Sequence, residues 1–253
     1  MRKVKVLKLD INLADKDSVT DTVLRFIDNA SSNYICAANV HMCMEAFDDA
    51  NYARIVNSAS MTVPDGRPIV WAQKLLGHKA ARQVRGSDLM LEICKEAERL
   101  QIPIGLYGGS DKAIIGFQNF LRKQYPRLRI ACAISPPFRK LSKAEDERYV
   151  NEINESGAKI LFVGLGCPKQ EYWMAEHNEK INCVMIGIGA VFVFFGITKK
   201  QAPRIMQRTG TEWIFRLATE PGRLWKRYLK HNPRFVYHFF MQFISVNAFK
   251  KNM

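Results

Sequence analysis

From residue 4 to about residue 188, short aliphatic runs alternate with segments whose apolar positions recur every three or four residues. The runs at 4–10, 34–40, 60–63, 103–108, 128–134, 159–164 and 182–188 predict strands. The intervening periodicity predicts helices over 17–30, 42–57, 67–77, 88–100, 111–124, 142–156 and 168–178. Runs such as KILFVGLG and CVMIGIGA are apolar at nearly every position, which suits a parallel strand covered on both faces. The alternation predicts an α/β fold: an open, mostly parallel, Rossmann-like sheet with helices on both faces. Ligands of such sheets sit beyond the carboxyl ends of the strands. Four turns fall there: Asn39-Val40-His41, Pro64-Asp65-Gly66, Gly108-Gly109-Ser110 and Gly164 to Gln170.

After about residue 196 the strand pattern stops. The chain therefore divides into an α/β domain over 1–195 and a small helical C-terminal appendage over 196–253. Glu220-Pro221 reads as a helix start, because proline suits the first helical position. Arg223, Arg227, Lys230 and Arg234 then recur at spacings of four, three and four. At helical pitch they fall within roughly 60° of one another, with Trp225, Tyr228 and Leu229 opposite. Pro233 is expected to interrupt this helix. The aromatic stretch 235–249 suits a membrane interface and is too short to span a bilayer.

Length and composition narrow the class. A chain of 253 residues with 47% hydrophobic content can bury one sizeable core. The N-terminal MRKVKVLKLDINLAD reads as a first strand, with no apolar run of signal-peptide type. Six scattered cysteines without a CxxC pair suggest free thiols in a reducing cytoplasm and argue against zinc. The net charge is +14, and ten of those charges lie from Lys199 onward, where twelve Lys/Arg face only Glu212 and Glu220. That asymmetry implies an anionic partner: nucleic acid, anionic membrane or phosphorylated substrate.

Each candidate has a structural reading beside the chemical one. Asp65 ends a short apolar strand and precedes glycine, a good platform for a general base; a turn aspartate bonding its own backbone has the same spelling. In Arg85-Gly86-Ser87-Asp88, Ser87 is expected to cap the next helix and Asp88 to occupy its first turn, which leaves Arg85 for an anion. VGLGCPKQE (163–171) breaks from strand to helix through glycines, where unpaired N–H groups would bind phosphate. Its third position is lysine, so the dinucleotide fingerprint is not met. Gln170 would hold a free amide near that loop. Asp15-Lys16-Asp17 has the DxD spelling of a metal site, but its place before DSVTDTVLRFI predicts capping. Asp48-Asp49 and Glu145-Asp146-Glu147 read as solvated helix faces. His41 and His177 have no partner at metal-ligand spacing, and no metal is expected. The arginine bias of the basic helix favours phosphate recognition over mere solubility.

Together these turns resemble the bacterial WecG/TagA/CpsF glycosyltransferases. The carriers are VPDGRPIVWA, RGSDL at 85–89, VGLGCPKQEYW at 163–173, and AP followed by TEWIFRLATEPGRLWKRYL within 202–229. The resemblance covers about residues 39–229. It implies an inverting transfer of a sugar from a UDP-sugar to a polyprenyl-diphosphate-linked acceptor in surface polysaccharide or glycolipid synthesis. It further implies Asp65 as base, and Asn39, Gly66, Arg85, Gly164, Gly166 and Gln170 around the nucleotide sugar. Arg216, Arg223 and Arg227 would close over the diphosphate while the appendage docks on the inner face of the cell membrane from the cytoplasm. No cofactor is implied.

An inverting transfer needs one base and something to neutralise departing UDP, which cationic side chains and helix N-termini can supply. The chain departs from the family's usual pattern at Ala37, at Phe192-Val193 where an aspartate is common, and at Gln201. The donor sugar is open among N-acetylmannosamine, its uronic acid and glucose. Exposed apolar surface near the C-terminus also leaves self-association open. The rival readings are a nucleic-acid-binding protein built on the basic helices, and a relative that binds UDP-sugar without turnover. The nucleic-acid reading gives no role to the turns at 64–66, 85–88 and 164–171, so nucleic acid is not expected as a partner.

Overall fold

A computed structural model describes residues 1–29, 32–197, 202–219 and 221–251, the side chains of 204, 207, 208, 223 and 249–251 excepted. Its main sheet has six strands: β3 (Asn33–Ala38), β4 (Met61–Pro64), β5 (Ile104–Gly108), β6 (Ile130–Ile134), β7 (Ile160–Gly164) and β8 (Val184–Gly187). They lie in the order β4-β3-β8-β7-β5-β6, and every pairing is parallel. All residues of β4, β5 and β8 are buried, as expected of strands covered on both faces. The open parallel α/β sheet is the one the alternating pattern predicts.

The helices are α1 (Lys16–Asp28), α2 (Val40–Asp48), α3 (Ala50–Ser58), α4 (Arg67–Leu75), α5 (Gly86–Leu100), α6 (Asp111–Gln124), α7 (Lys143–Glu155), α8 (Lys169–His177), α9 (Val191–Gly196), α10 (Arg204–Thr209), α11 (Glu212–Thr219) and α12 (Pro221–Lys251). Alternate side chains of a strand enter different cores. Leu161 and Val163 join a cluster with α2, α3 and α8, while Ile160 and Phe162 join one with α5, α6 and α9. β7 leads through α8 to β8 on one side, whereas its neighbour β5 leads through α6 to β6 on the other. The connections diverge between β5 and β7, the place where ligands usually bind in this architecture.

Four local expectations are corrected. The single strand at 4–10 is instead a separate antiparallel hairpin, β1 (Lys3–Val6) with β2 (Leu9–Asn12), turned at Leu7 with φ 56°. Alternation continues through the turn, so periodicity alone did not mark it. The single helix at 42–57 is two, because Asp49 is extended and its carboxylate accepts from Asn51 N and Tyr52 N, capping α3. Ser87 lies inside α5 and Arg85 occupies the capping position. Pro233 does not end α12, which continues through it. The lost hydrogen bond frees the carbonyl of Leu229, a residue 70% exposed, where water can satisfy it. By contrast, Asp15 caps α1 in a capping box, as its position before an amphipathic run predicts.

α12 is not a detached tail. Phe235 and Phe239, one turn apart, are buried in the core beside α2. Arg234 forms a two-pronged ion pair with Asp48, and His238 stacks on Phe47 at 4.1 Å. Gln242 accepts from Leu7 N and donates to Lys5 O, which ties α12 to the β1–β2 turn. Asp48 and Asp49 are thus engaged, not simply solvated.

Candidate functional site

Asp65 immediately follows β4, and its N–H and that of Gly66 both donate to Ala38 O, extending the β3–β4 ladder. Its side chain does not bond its own turn. Oδ1 accepts from Gly86 N at 2.8 Å, the first residue of α5 and twenty-one positions along the chain. Asp65 therefore serves the N-terminus of α5 in place of the expected Ser87. Burial is the largest influence on this carboxyl and pushes its pKa above the ordinary aspartate value. The Gly86 hydrogen bond and the charges of Arg216 and Arg85 oppose the rise, while Glu212 adds to it.

The C-terminal region reaches this carboxylate. Arg85 is mostly buried, and its guanidinium lies 3.2 Å from Glu212 and 3.7 Å from Asp88. Glu212 also pairs with Arg216 at 2.6 Å, and Arg216 lies over the Phe194 ring at 4.6 Å. An Arg85–Glu212–Arg216 bridge thus joins α5 to α11 beside Asp65. Asn39 caps α2, accepting from Met42 N, and its Cα and Cβ lie within 3.3 Å of the point a Gly66 Cβ would occupy. Arg227 adds to the burial that lowers the His41 pKa and opposes the burial that raises that of Cys167, so its charge is felt at the turns after both β3 and β7. Arg223 lies on α12, but its side chain is outside the described residues.

The glycine turn after β7 behaves differently from the sequence expectation. Gln170 has no free amide: Oε1 accepts from Gly166 N at 3.2 Å and Gly189 N at 3.1 Å, and Nε2 donates to Glu171 Oε1 at 2.7 Å. The N–H groups of Gly166 and Gly189 are thereby held, and Gln170 braces the turn after β7 against the one after β8. Glu171 also accepts from the Tyr52 hydroxyl at 3.0 Å, and burial raises its pKa. Gly166 has φ +83°, which explains glycine there. Gly164 allows close approach: a Cβ would stand 2.7 Å from the ring of Phe192. Phe192, 1% exposed, therefore fills space against the β5 and β7 ends at the divergence of the sheet.

Of the three departures, Ala37 lies close to Gly86 and hence to the Asp65 contact. Phe192 and Val193 lie in α9, and Gln201 is outside the described residues.

Two histidines gain partners that the sequence reading did not give them. His177 Nε2 meets Asp146 at 2.8 Å and its Nδ1 meets Trp173 O at 2.7 Å, a structural link that also engages the acidic face of α7. His41 stands beside Glu45 and beside His231 of α12, whose donor groups all lie within 4.8 Å. The expectation that His41 lacks partners at metal spacing is thus overturned. His41 and Glu45 were visible as an i, i+4 pair on a helix, but His231 is 190 positions away and could not be placed beside them.

The model of the glycosyl transferase WecG/TagA/CpsF family matches residues 4–248. An N-acetylglucosaminyldiphosphoundecaprenol N-acetyl-beta-D-mannosaminyltransferase of Staphylococcus aureus strain NCTC 8325 / PS 47 is 31% identical over 240 residues, covering 93% of this chain and 91% of the relative. The protein of the same description from strain MRSA252 is 30% identical over the same coverage.

Proposed function

The chain belongs to the WecG/TagA/CpsF glycosyl transferase family, and from that premise we propose an inverting transfer from a UDP-sugar to a polyprenyl-diphosphate-linked acceptor, with Asp65 as base. That the chain is a glycosyltransferase follows from the family; the donor, the acceptor and the residue roles are the proposal. The observation that carries it is the Asp65 environment. A carboxylate at the carboxyl edge of the sheet, raised in pKa and flanked by Arg85 and Arg216, suits proton abstraction beside an anionic leaving group.

In the proposed reaction the acceptor hydroxyl oxygen attacks C1 of the donor sugar from the face opposite UDP. The C1–O bond to the diphosphate breaks with its electron pair, and the hydroxyl proton passes to Asp65. Because Oδ1 is held by Gly86, Oδ2 is the oxygen assigned to that proton. Arg216, Arg223 and Arg227 would neutralise the diphosphate, with Arg85 completing the cationic rim. Asn39, Gly66, Gly164, Gly166 and Gln170 shape the donor pocket, the last through its hold on the glycine turns.

The relatives' description favours N-acetylglucosaminyldiphosphoundecaprenol as acceptor and N-acetylmannosamine as the first donor to test. Ala37 and Phe192-Val193, where the family commonly has a threonine and an aspartate, favour retuned donor choice. Among the described residues no helix is long and apolar enough to cross a membrane. Trp213, Ile214, Trp225, Leu229 and Phe240 are exposed in the basic C-terminal region, which supports peripheral docking on an anionic inner leaflet.

The test is UDP release and lipid-product mass with this acceptor and a panel of UDP-sugars. Turnover with one UDP-sugar and inversion at C1 are expected. UDP-sugar binding without turnover across the panel would favour the non-catalytic relative and overturn the proposal.

A further inference from the structure

The His41–Glu45–His231 cluster plays no part in the transfer chemistry above, and its geometry differs from that of an ordinary polar contact. His41 Nε2 lies 3.4 Å from Glu45 Oε1, and His231 Nε2 lies 3.6 Å from the same oxygen. Both exceed the usual N–H···O range of 2.7–3.2 Å. Donors at the usual zinc–nitrogen and zinc–oxygen distances of about 2.0–2.2 Å stand roughly 3.3–3.5 Å apart around a tetrahedral ion. The His41 separation falls within that spacing, and the His231 separation lies about 0.1 Å beyond it. The imidazole rings are 5.0 Å apart at 77°, an edge-on arrangement that lets both Nε2 atoms converge beside the carboxylate.

We propose that His41, Glu45 and His231 form a binding site for a divalent d-block cation of the zinc class, which staples α12 to the start of α2. Two imidazoles and one carboxylate are a recognised zinc donor set with a further position open. His231 is 4% exposed, and its buried ring meets the cluster through the 3.6 Å approach of Nε2 to Glu45 and the edge-on contact with His41. Arg227 and Lys230 stand near enough to oppose a cation there, which weakens the expected affinity. The bound ion would fix Arg227, one turn before His231, relative to Asn39, the cap of α2. The site itself is independent of the transferase reading.

The test uses the full-length chain, stripped with chelator and titrated with zinc chloride by calorimetry. One ion per chain is expected, with thermal stabilisation of about 5 °C at a hundredfold excess over Kd. His41→Gln and His231→Gln should each weaken zinc at least tenfold, since even loss of an outer partner costs about 10–100-fold. Cobalt chloride should give a visible d–d spectrum without a thiolate charge-transfer band, which separates this site from the six free cysteines. If either variant fails to fold, zinc X-ray absorption on the unsubstituted protein decides: two imidazoles with oxygen donors support the site. Sulfur donors, no stoichiometric uptake, or unchanged binding in folded variants would overturn it.

Discussion

Asp65→Asn isolates the proposed base from its structural duty. The asparagine keeps an oxygen to accept the Gly86 N–H, now at 2.8 Å, and nearly the same volume, so the start of α5 retains its partner. What disappears is the acceptor for the hydroxyl proton. A positioned general base contributes about 10²–10⁴ in rate, or roughly 2.7–5.5 kcal/mol of barrier. The expected result is a loss of that size in single-turnover rate, with donor affinity changed less than about threefold. Stability should not fall. Burial makes the ionised aspartate unfavourable at neutral pH, and the variant removes that charge. Rapid-quench transfer to the lipid-linked acceptor, calorimetric donor binding and thermal melting measure the three quantities. A rate within tenfold of the parent would refute the assignment, and an equal loss of donor binding would reassign Asp65 to recognition.

Other consequences follow from the same contacts. Since the base must be deprotonated, activity should fall as pH drops through a pKa above the ordinary aspartate value; Glu212→Gln should move that limb to lower pH and Arg216→Gln to higher pH, read from kcat/KM profiles. Gly164→Ala places a Cβ 2.7 Å from the Phe192 ring and should cost about 1–3 kcal/mol, recovered in part by Phe192→Leu in a double-mutant cycle by urea unfolding. Phe239→Ala should cost about 3–5 kcal/mol, whereas Arg234→Ala should cost no more than about 1 kcal/mol, because that ion pair is at the surface. Deleting residues 196–253 should therefore lower the melting temperature as well as abolish transfer and vesicle binding; a stable, fully active truncation would refute both the docking of α12 and its role in closure.

The periodicity of apolar residues determined the sheet class and the placement of most strands, because a strand buried on both faces needs apolar residues at nearly every position. It also placed Asn39, Asp65 and Gly164 at carboxyl ends, since parallel strands all deliver their following turns to one edge. Capping at Asp15 was legible for the same local reason. What was not legible depends on partners distant in sequence. Asp65 bonds Gly86 and not its own turn; Gln170 spends its amide on Gly166 and Gly189; Arg85 and Arg216 share Glu212. The break at Asp49 is a local cap of the kind found at Asp15 and stood within the sequence window, whereas the passage of α12 through Pro233 turns on the freed carbonyl of Leu229 being exposed to water. The basic helix could be read as a face, but only its packing on α2 brought His231 to His41 and Glu45. Local sequence sets which backbone shapes are cheap, whereas a site is made of side chains whose neighbours are fixed by the packing of the whole sheet.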